Sequence, residues 1–206
     1  MKNSIDYSLY LVTDPGMAKV ELPQAVEQAI LGGVTLVQLR EKQAGTLDFY
    51  QQALAIKRVC DAHAVPLIIN DRIDIALAIG AAGVHIGQDD MPLCAARRIL
   101  GENAIIGVSA STLAQAQSAY RGGADYLGIG ALQPTSTKTD ATITPYDELQ
   151  RIRRHIPIPL VAIGGINLAT LAPLRCHGLQ GIAVVSAILA AEDIQAAARA
   201  LKEAWG

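Results

Sequence analysis

Residues 160–186 read LVAIGGINLATLAPLRCHGLQGIAVVS, a segment framed by two short apolar runs. Leu160 to Ile163 stops at Gly164-Gly165, and Gly181 to Val185 stops at Ser186. Neither run alternates with polar residues, which is how parallel strands buried on both faces read. A helix starting at Asn167 is expected between them. Glycine backbone lets amide N–H groups approach an anion, and a helix N-terminus adds positive potential. By itself Gly164-Gly165 reads equally well as a tight turn.

The same pattern recurs outward along the chain. Strands are expected near Leu9 to Thr13, Thr35 to Leu39, Leu67 to Asn70, Gly83 to Ile86, Ile105 to Ser109 and Tyr126 to Gly130, as well as the two already quoted. Longer Ala, Gln and Leu segments of helical period separate them, the signature of repeated βα units. Gly32-Gly33, Gly80 to Gly83 and Gly122-Gly123 each precede a strand and read as helix stops. The predicted fold is therefore α/β, a (β/α)8 TIM barrel with strand-end phosphate-binding sites, filling residues 1–206 as a single domain. In that frame Gly164-Gly165 and Val185-Ser186 follow strands seven and eight, where such barrels hold phosphate, and the phosphate reading is preferred to the plain turn.

A formal charge of −2 and a pI near 6.1 leave no basic footprint for nucleic acid or an anionic membrane, so small soluble ligands are expected. The N-terminal residues lack a charged region followed by a long apolar stretch, and no apolar run approaches a membrane span; a cytoplasmic protein is expected. Cys60, Cys94 and Cys176 are odd in number and widely spaced, which argues against disulfides and a structural zinc.

Polar clusters close the apolar runs. Gln38-Leu39-Arg40-Glu41-Lys42 ends the second strand: alternation aims Gln38 and Arg40 to one side, Arg40 suits bidentate phosphate contact, and Lys42 adds charge. Glu41 is included with this segment among the substrate-binding candidates, although on its own it reads best as a solvated charge. Thr135, Ser136, Thr137 and Lys138 follow the sixth strand and offer three hydroxyls and an ammonium to a phosphate or pyrophosphate, or else form an ordinary polar turn. Asn70-Asp71 and Asp89-Asp90 end neighbouring strands, so Asp71 and Asp90 can share a hard cation such as Mg²⁺. Alternatively Asp71 caps the helix through Ile73 and Asp90 caps one beginning near Pro92. Ser109 ends its strand where a ligand would lie, Thr112 is expected to cap the next helix, and His85, inside a strand, reads as a hydrogen-bonded core residue. No acid and base pair stands out. The inventory suits neutralising a phosphate that leaves, rather than moving a carbon-bound proton.

Read in order, Leu11-Val12-Thr13-Asp14, Gln38 to Lys42, Ile69-Asn70-Asp71-Arg72, Gly87-Gln88-Asp89-Asp90, Pro134 to Lys138, Ala162 to Ile166 and Val185-Ser186 resemble the thiamine phosphate synthase family over nearly the whole chain. The resemblance implies a barrel transferase that joins 4-amino-2-methyl-5-hydroxymethylpyrimidine diphosphate to 4-methyl-5-(2-hydroxyethyl)thiazole phosphate, or its 2-carboxy form, releasing pyrophosphate. It places Gln38, Arg40, Lys42, Asn70, Ser109 and Lys138 on the pyrimidine diphosphate, with Arg40, Lys42, Ser109 and Lys138 as the catalytic set. It places Mg²⁺ on Asp71 and Asp90, and the thiazole phosphate on Thr135, Thr137, Gly165, Val185 and Ser186; Ser136 falls in the same loop. Gln133 departs from the family, whose members commonly carry an aromatic residue there. Rivals are a thiazole tautomerase paralogue, marked by a histidine near Ser109 and an incomplete diphosphate set, a ligand-binding regulator without turnover, and a phosphosugar isomerase on the same barrel. The outer helices carry no decisive patch, and a homodimer is the expected assembly.

Overall fold

The computed structural model describes residues 5–134 and 143–206. Each apolar run forms a short parallel strand: β1 (Leu9–Val12), β2 (Leu36–Leu39), β3 (Leu67–Asn70), β4 (Gly83–Ile86), β5 (Ile105–Ala110), β6 (Tyr126–Ile129), β7 (Leu160–Ile163) and β8 (Gly181–Val184). Each pairs with the next, and β8 pairs with β1 to close the barrel. The helices are α1 (Leu22–Leu31), α2 (Thr46–Ala62), α3 (Ile73–Ile79), α4 (Leu93–Leu100), α5 (Leu113–Arg121), α6 (Tyr146–His155), α7 (Ser186–Leu189) and α8 (Ile194–Trp205). Every expected strand is present, with its ends within one residue of the expected positions. None of the helices among the described residues is long and apolar enough to cross a membrane.

Period-2 alternation divides the strands between two cores. Leu9, Leu11, Val37, Ile69, Leu127 and Ile182 pack with helix residues such as Ala25, Phe49 and Leu149. Tyr10, Leu36, Ile68, Tyr126, Val161 and Ala183 form a second cluster without any helix residue, which fills the barrel. Burial on both sides explains why the runs are nearly continuously apolar. Gln38, Asn70, His85 and Ser109 share the inward parity of Leu36, Ile68 and Ile105. The barrel interior therefore turns polar toward the C-terminal mouth.

Glycine closes helices as expected, with a division of labour in the Gly32-Gly33 pair. Gly33 takes the left-handed conformation at φ 108°, while Gly32 stays right-handed and is small for another reason: a Cβ there would lie 2.4 Å from the Gln195 carbonyl of α8. Thr112 caps α5 as expected, accepting from the Gln115 N–H at 3.3 Å.

The helix expected from Asn167 is not there. The Asn167 side chain accepts from the Ala169 and Thr170 N–H groups at 2.9 and 3.3 Å, making a turn, and a short 3₁₀ helix over Ala172–His177 follows. Pro173 supplies the reason: in an α-helix begun at Asn167 it would remove a hydrogen bond and clash with the carbonyl four residues back.

Candidate active site

At the C-terminal mouth lie two adjoining cavities, of about 160 and 370 Å³. Gln38, Arg40, Lys42, Asn70, Asp71, Asp90 and Ser109 line the smaller. Gly164, Gly165, Val185 and Ser186 line the larger, which Arg40 and Ser109 also reach. Residues from widely separated parts of the chain thus meet because the strands that carry them are parallel and closed. Glu41 stays apart: its carboxylate accepts from the N–H groups of Gln43 and Ala44 at 2.6 and 3.1 Å, shaping its own turn, and it lines neither cavity. Thr135, Ser136, Thr137 and Lys138 lie outside the described residues.

In the smaller cavity the Lys42 ammonium donates to Asp71, and the Asp71 and Asp90 carboxyls lie close enough to shift one another's titration. Burial raises the Asp71 pKa, and the adjacent Asp90 adds to the rise against the opposing charge of Lys42. For Asp90 burial acts upward too, but hydrogen bonds from Asp71 and the Gly87 N–H, together with the charge of Lys42, bring it below the ordinary value.

Neither aspartate caps a helix. The residues flanking α3 and α4 are Arg72 and Pro92, without side-chain caps, and Asp90 accepts instead from Gly87 at 2.7 Å. Asp71 also has left-handed backbone at φ 60°, a conformation that aspartate and asparagine tolerate better than most residues, and it turns the carboxyl away from α3. Among the described residues no group of three or more His, Cys, Asp or Glu is arranged to hold a metal. A pair of carboxylates nevertheless matches the way Mg²⁺ binds, through one or two carboxylates with water and substrate phosphates completing its shell. Asp71 and Asp90, adjacent, oxygen-bearing and released from capping, fit that ion.

The Arg40 guanidinium donates to Asp14 at 3.1 Å, which holds it over both cavities, and the Arg40 backbone N–H donates to the buried Thr13 hydroxyl at 3.0 Å. In the larger cavity Gly164 and Gly165 have φ of 94° and 66°. A Cβ on either would also collide with the strand-six loop, 2.4 Å from Ala131 Cβ and 2.5 Å from the Pro134 carbonyl. Val185 leads directly into α7, whose first N–H groups have no intrahelical acceptor. Gln133 donates through its side chain to the Tyr146 hydroxyl at 2.8 Å, and Tyr146 stacks on His177 with ring centroids 5.2 Å apart. The amide thus ties the base of that loop to α6.

Under the smaller cavity runs a hydrogen-bonded file that sequence reading missed. Gln38 donates to the Tyr10 hydroxyl at 2.8 Å, Tyr10 and Tyr126 share a bond of 2.8 Å, Tyr126 meets His85 Nδ1 at 2.9 Å, and His85 Nε2 meets Ser109 Oγ at 2.8 Å. Burial pushes the His85 pKa down to about 4, opposed in part by Asp90, so the imidazole is neutral at pH 7. The core reading of His85 holds, yet it also touches a candidate site residue. The available signal was glycine: Gly107 and Gly128 interrupt strand runs, and glycine inside a strand often marks the close approach of another group.

Comparison with known proteins gives a consistent set. The thiamine monophosphate synthase family matches residues 9–188. The thiamine-phosphate synthase of Clostridium beijerinckii is 52% identical over 203 residues, covering 98% of this chain and 97% of its own. That of Ruminiclostridium cellulolyticum is 54% identical over 204 residues, with the same coverage. Among solved structures, thiamine phosphate pyrophosphorylase from Pyrococcus furiosus superposes with a TM-score of 0.89 at 35% identity, covering 98% of this chain and 96% of that one. A 3-hexulose-6-phosphate synthase shares the fold at a TM-score of 0.69 and 19% identity, covering 96% of this chain and 99% of that one.

Proposed function

The chain belongs to the thiamine monophosphate synthase family, and from that premise we propose that it joins the pyrimidine diphosphate to the thiazole phosphate, forming thiamine phosphate and pyrophosphate. The observation that carries this reading is the pairing of two adjoining cavities, one with carboxylates and cations, the other with glycine backbone and the start of α7. A diphosphate suits the first and a monophosphate the second.

The pyrimidine diphosphate lies in the smaller cavity with Gln38, Asn70 and Ser109 holding it and Arg40 and Lys42 on its phosphates. Lys138, from the loop after β6, is assigned to the same phosphates. Gly165, Val185 and Ser186, with Thr135, Ser136 and Thr137, hold the thiazole phosphate. Asp71 and Asp90 would hold Mg²⁺, which supplies charge neutralisation to the departing diphosphate when bound.

The carbon–oxygen bond to the diphosphate breaks first, its electron pair leaving with pyrophosphate. The thiazole nitrogen then donates its lone pair to the pyrimidine methylene cation. That nitrogen bears no proton, so the step needs no general base. One unit charge pair at about 4 Å is worth roughly 4 kcal/mol at an effective dielectric near 20, so Arg40, Lys42 and Lys138 together can lower the barrier substantially. Their effects will not add, because they share one anion.

The test is purified protein with both substrates and Mg²⁺, following pyrophosphate and thiamine phosphate together, and repeated without metal. Stoichiometric, metal-dependent appearance of both supports the synthase. Turnover of a thiazole phosphate without the pyrimidine substrate would indicate a tautomerase, and thiazole phosphate binding without turnover a regulator.

A further inference from the structure

The file beneath the smaller cavity has a direction. The Gln38 amide donates to Tyr10, so the single Tyr10 hydrogen is left for its nearest acceptor, the Tyr126 oxygen. The Tyr126 hydrogen is then left for His85 Nδ1. A neutral imidazole that accepts at Nδ1 carries its hydrogen on Nε2, and there it faces the Ser109 oxygen. Ser109 Oγ has no other hydrogen-bond partner among the described residues, so its own hydrogen is left pointing away from His85, into the cavity.

Tyr10, Tyr126 and Gln38 are at most 4% exposed and His85 is 9% exposed, so the file is buried where it forms the floor of the smaller cavity. Backbone room has been made for it as well. A Cβ on Gly107 would lie 2.0 Å from Tyr126 Cζ, and one on Gly128 would lie 3.1 Å from His85 Cε1. The Tyr126 ring can occupy its place only because Gly107 lacks a side chain, and the His85 ring packs tightly against the bare backbone of Gly128.

We infer that Tyr126 and His85 act as positioning residues, relaying the polarity of the Gln38 amide so that Ser109 meets its ligand as a hydrogen-bond donor. The ligand atom it faces is an acceptor: a phosphate oxygen or an unprotonated ring nitrogen. Naming that ligand as the pyrimidine diphosphate rests on the function proposed above; the polarity of the file does not.

Two measurements on the full chain test this. In ¹⁵N-imidazole NMR spectra, with the His85 signals identified by their loss in His85→Gln, the protein should show the Nε2–H tautomer. Ser109→Ala should retain it, and Tyr126→Phe should mix or reverse it. An Nδ1–H tautomer in the wild-type protein would overturn the relay, since Ser109 would then be an acceptor. In steady-state kinetics Ser109→Ala should lower kcat by about 10-fold, the scale of one hydrogen bond to a charged group. Tyr126→Phe should lower kcat less in the wild-type background and leave it unchanged in Ser109→Ala. Equal losses in the two backgrounds would make Tyr126 merely structural and overturn the relay. The NMR measurement needs no substrate, so a protein without synthase turnover would sink the functional reading while the relay is still judged on its tautomer.

Discussion

Acidification should weaken the wild-type fold through one residue in particular. His85 has its pKa lowered from 6.5 to about 4 by burial inside the barrel, so the unfolded chain binds a proton there more readily than the folded one. The stabilising contribution is fully present above pH 6.5 and is lost progressively as pH falls from 6.5 through the folded value of about 4. Integrating the difference gives about 2 kcal/mol lost between pH 8 and pH 5, and roughly 3 kcal/mol by the time both states are protonated. Against the 5–15 kcal/mol typical of folded domains, roughly speaking, that is a large share. The raised Asp71 pKa contributes with the opposite sign and the lowered Asp90 pKa with the same sign; both carboxyls remain in a His85→Gln variant, where Asp90 loses only the smallest of the causes that lower it, the charge of His85. Urea unfolding of the two proteins at pH 8 and pH 5 therefore isolates the histidine. The wild type should lose about 2 kcal/mol more than the variant over that interval. Equal losses in the two proteins would show that His85 takes up its proton in the fold as easily as out of it, and would refute the argument from burial.

Asp71→Asn should reduce turnover by orders of magnitude with little change in melting temperature, because asparagine tolerates the left-handed backbone at this position and only the charge is removed; near-normal rates at saturating Mg²⁺ would remove the carboxylate from the mechanism. Lys138→Ala should have the same effect on turnover, measured in the same assay. Gly107→Ala drives a methyl against the fully buried Tyr126 ring and should destabilise the fold by about 3 kcal/mol, measured by denaturant unfolding. Cys94 and Cys176 are exposed whereas the buried Cys60 thiol is pushed up to about 12, chiefly by burial, so a colorimetric thiol reagent should titrate two thiols in the native protein and the third only on unfolding.

Where sequence reading succeeded, the physics was local. A strand buried on both faces must be apolar throughout, so Gly181 to Val184 and its counterparts announce themselves, and parallel pairing then places Gln38, Asn70, Asp71, Asp90 and Ser109 around one mouth. Where it fell short, the deciding contact lay elsewhere in the chain. Asp71 and Asp90 carry the same residue types whether they cap helices or face a cavity, and only the left-handed turn at Asp71 and the Gly87 contact of Asp90 separate the two roles.

Strand order, the barrel and the chemical character of its mouth were thus determined by periodicity and by the residues that end each apolar run. Tyr10 and Tyr126 read as ordinary apolar strand residues. They stand 116 positions apart, and closure of the barrel brings their hydroxyls to 2.8 Å, linking Gln38 to Ser109 through its interior. Such a contact leaves no periodic trace, because each partner satisfies its own strand's alternation and the hydrogen bond exists only across the closed sheet.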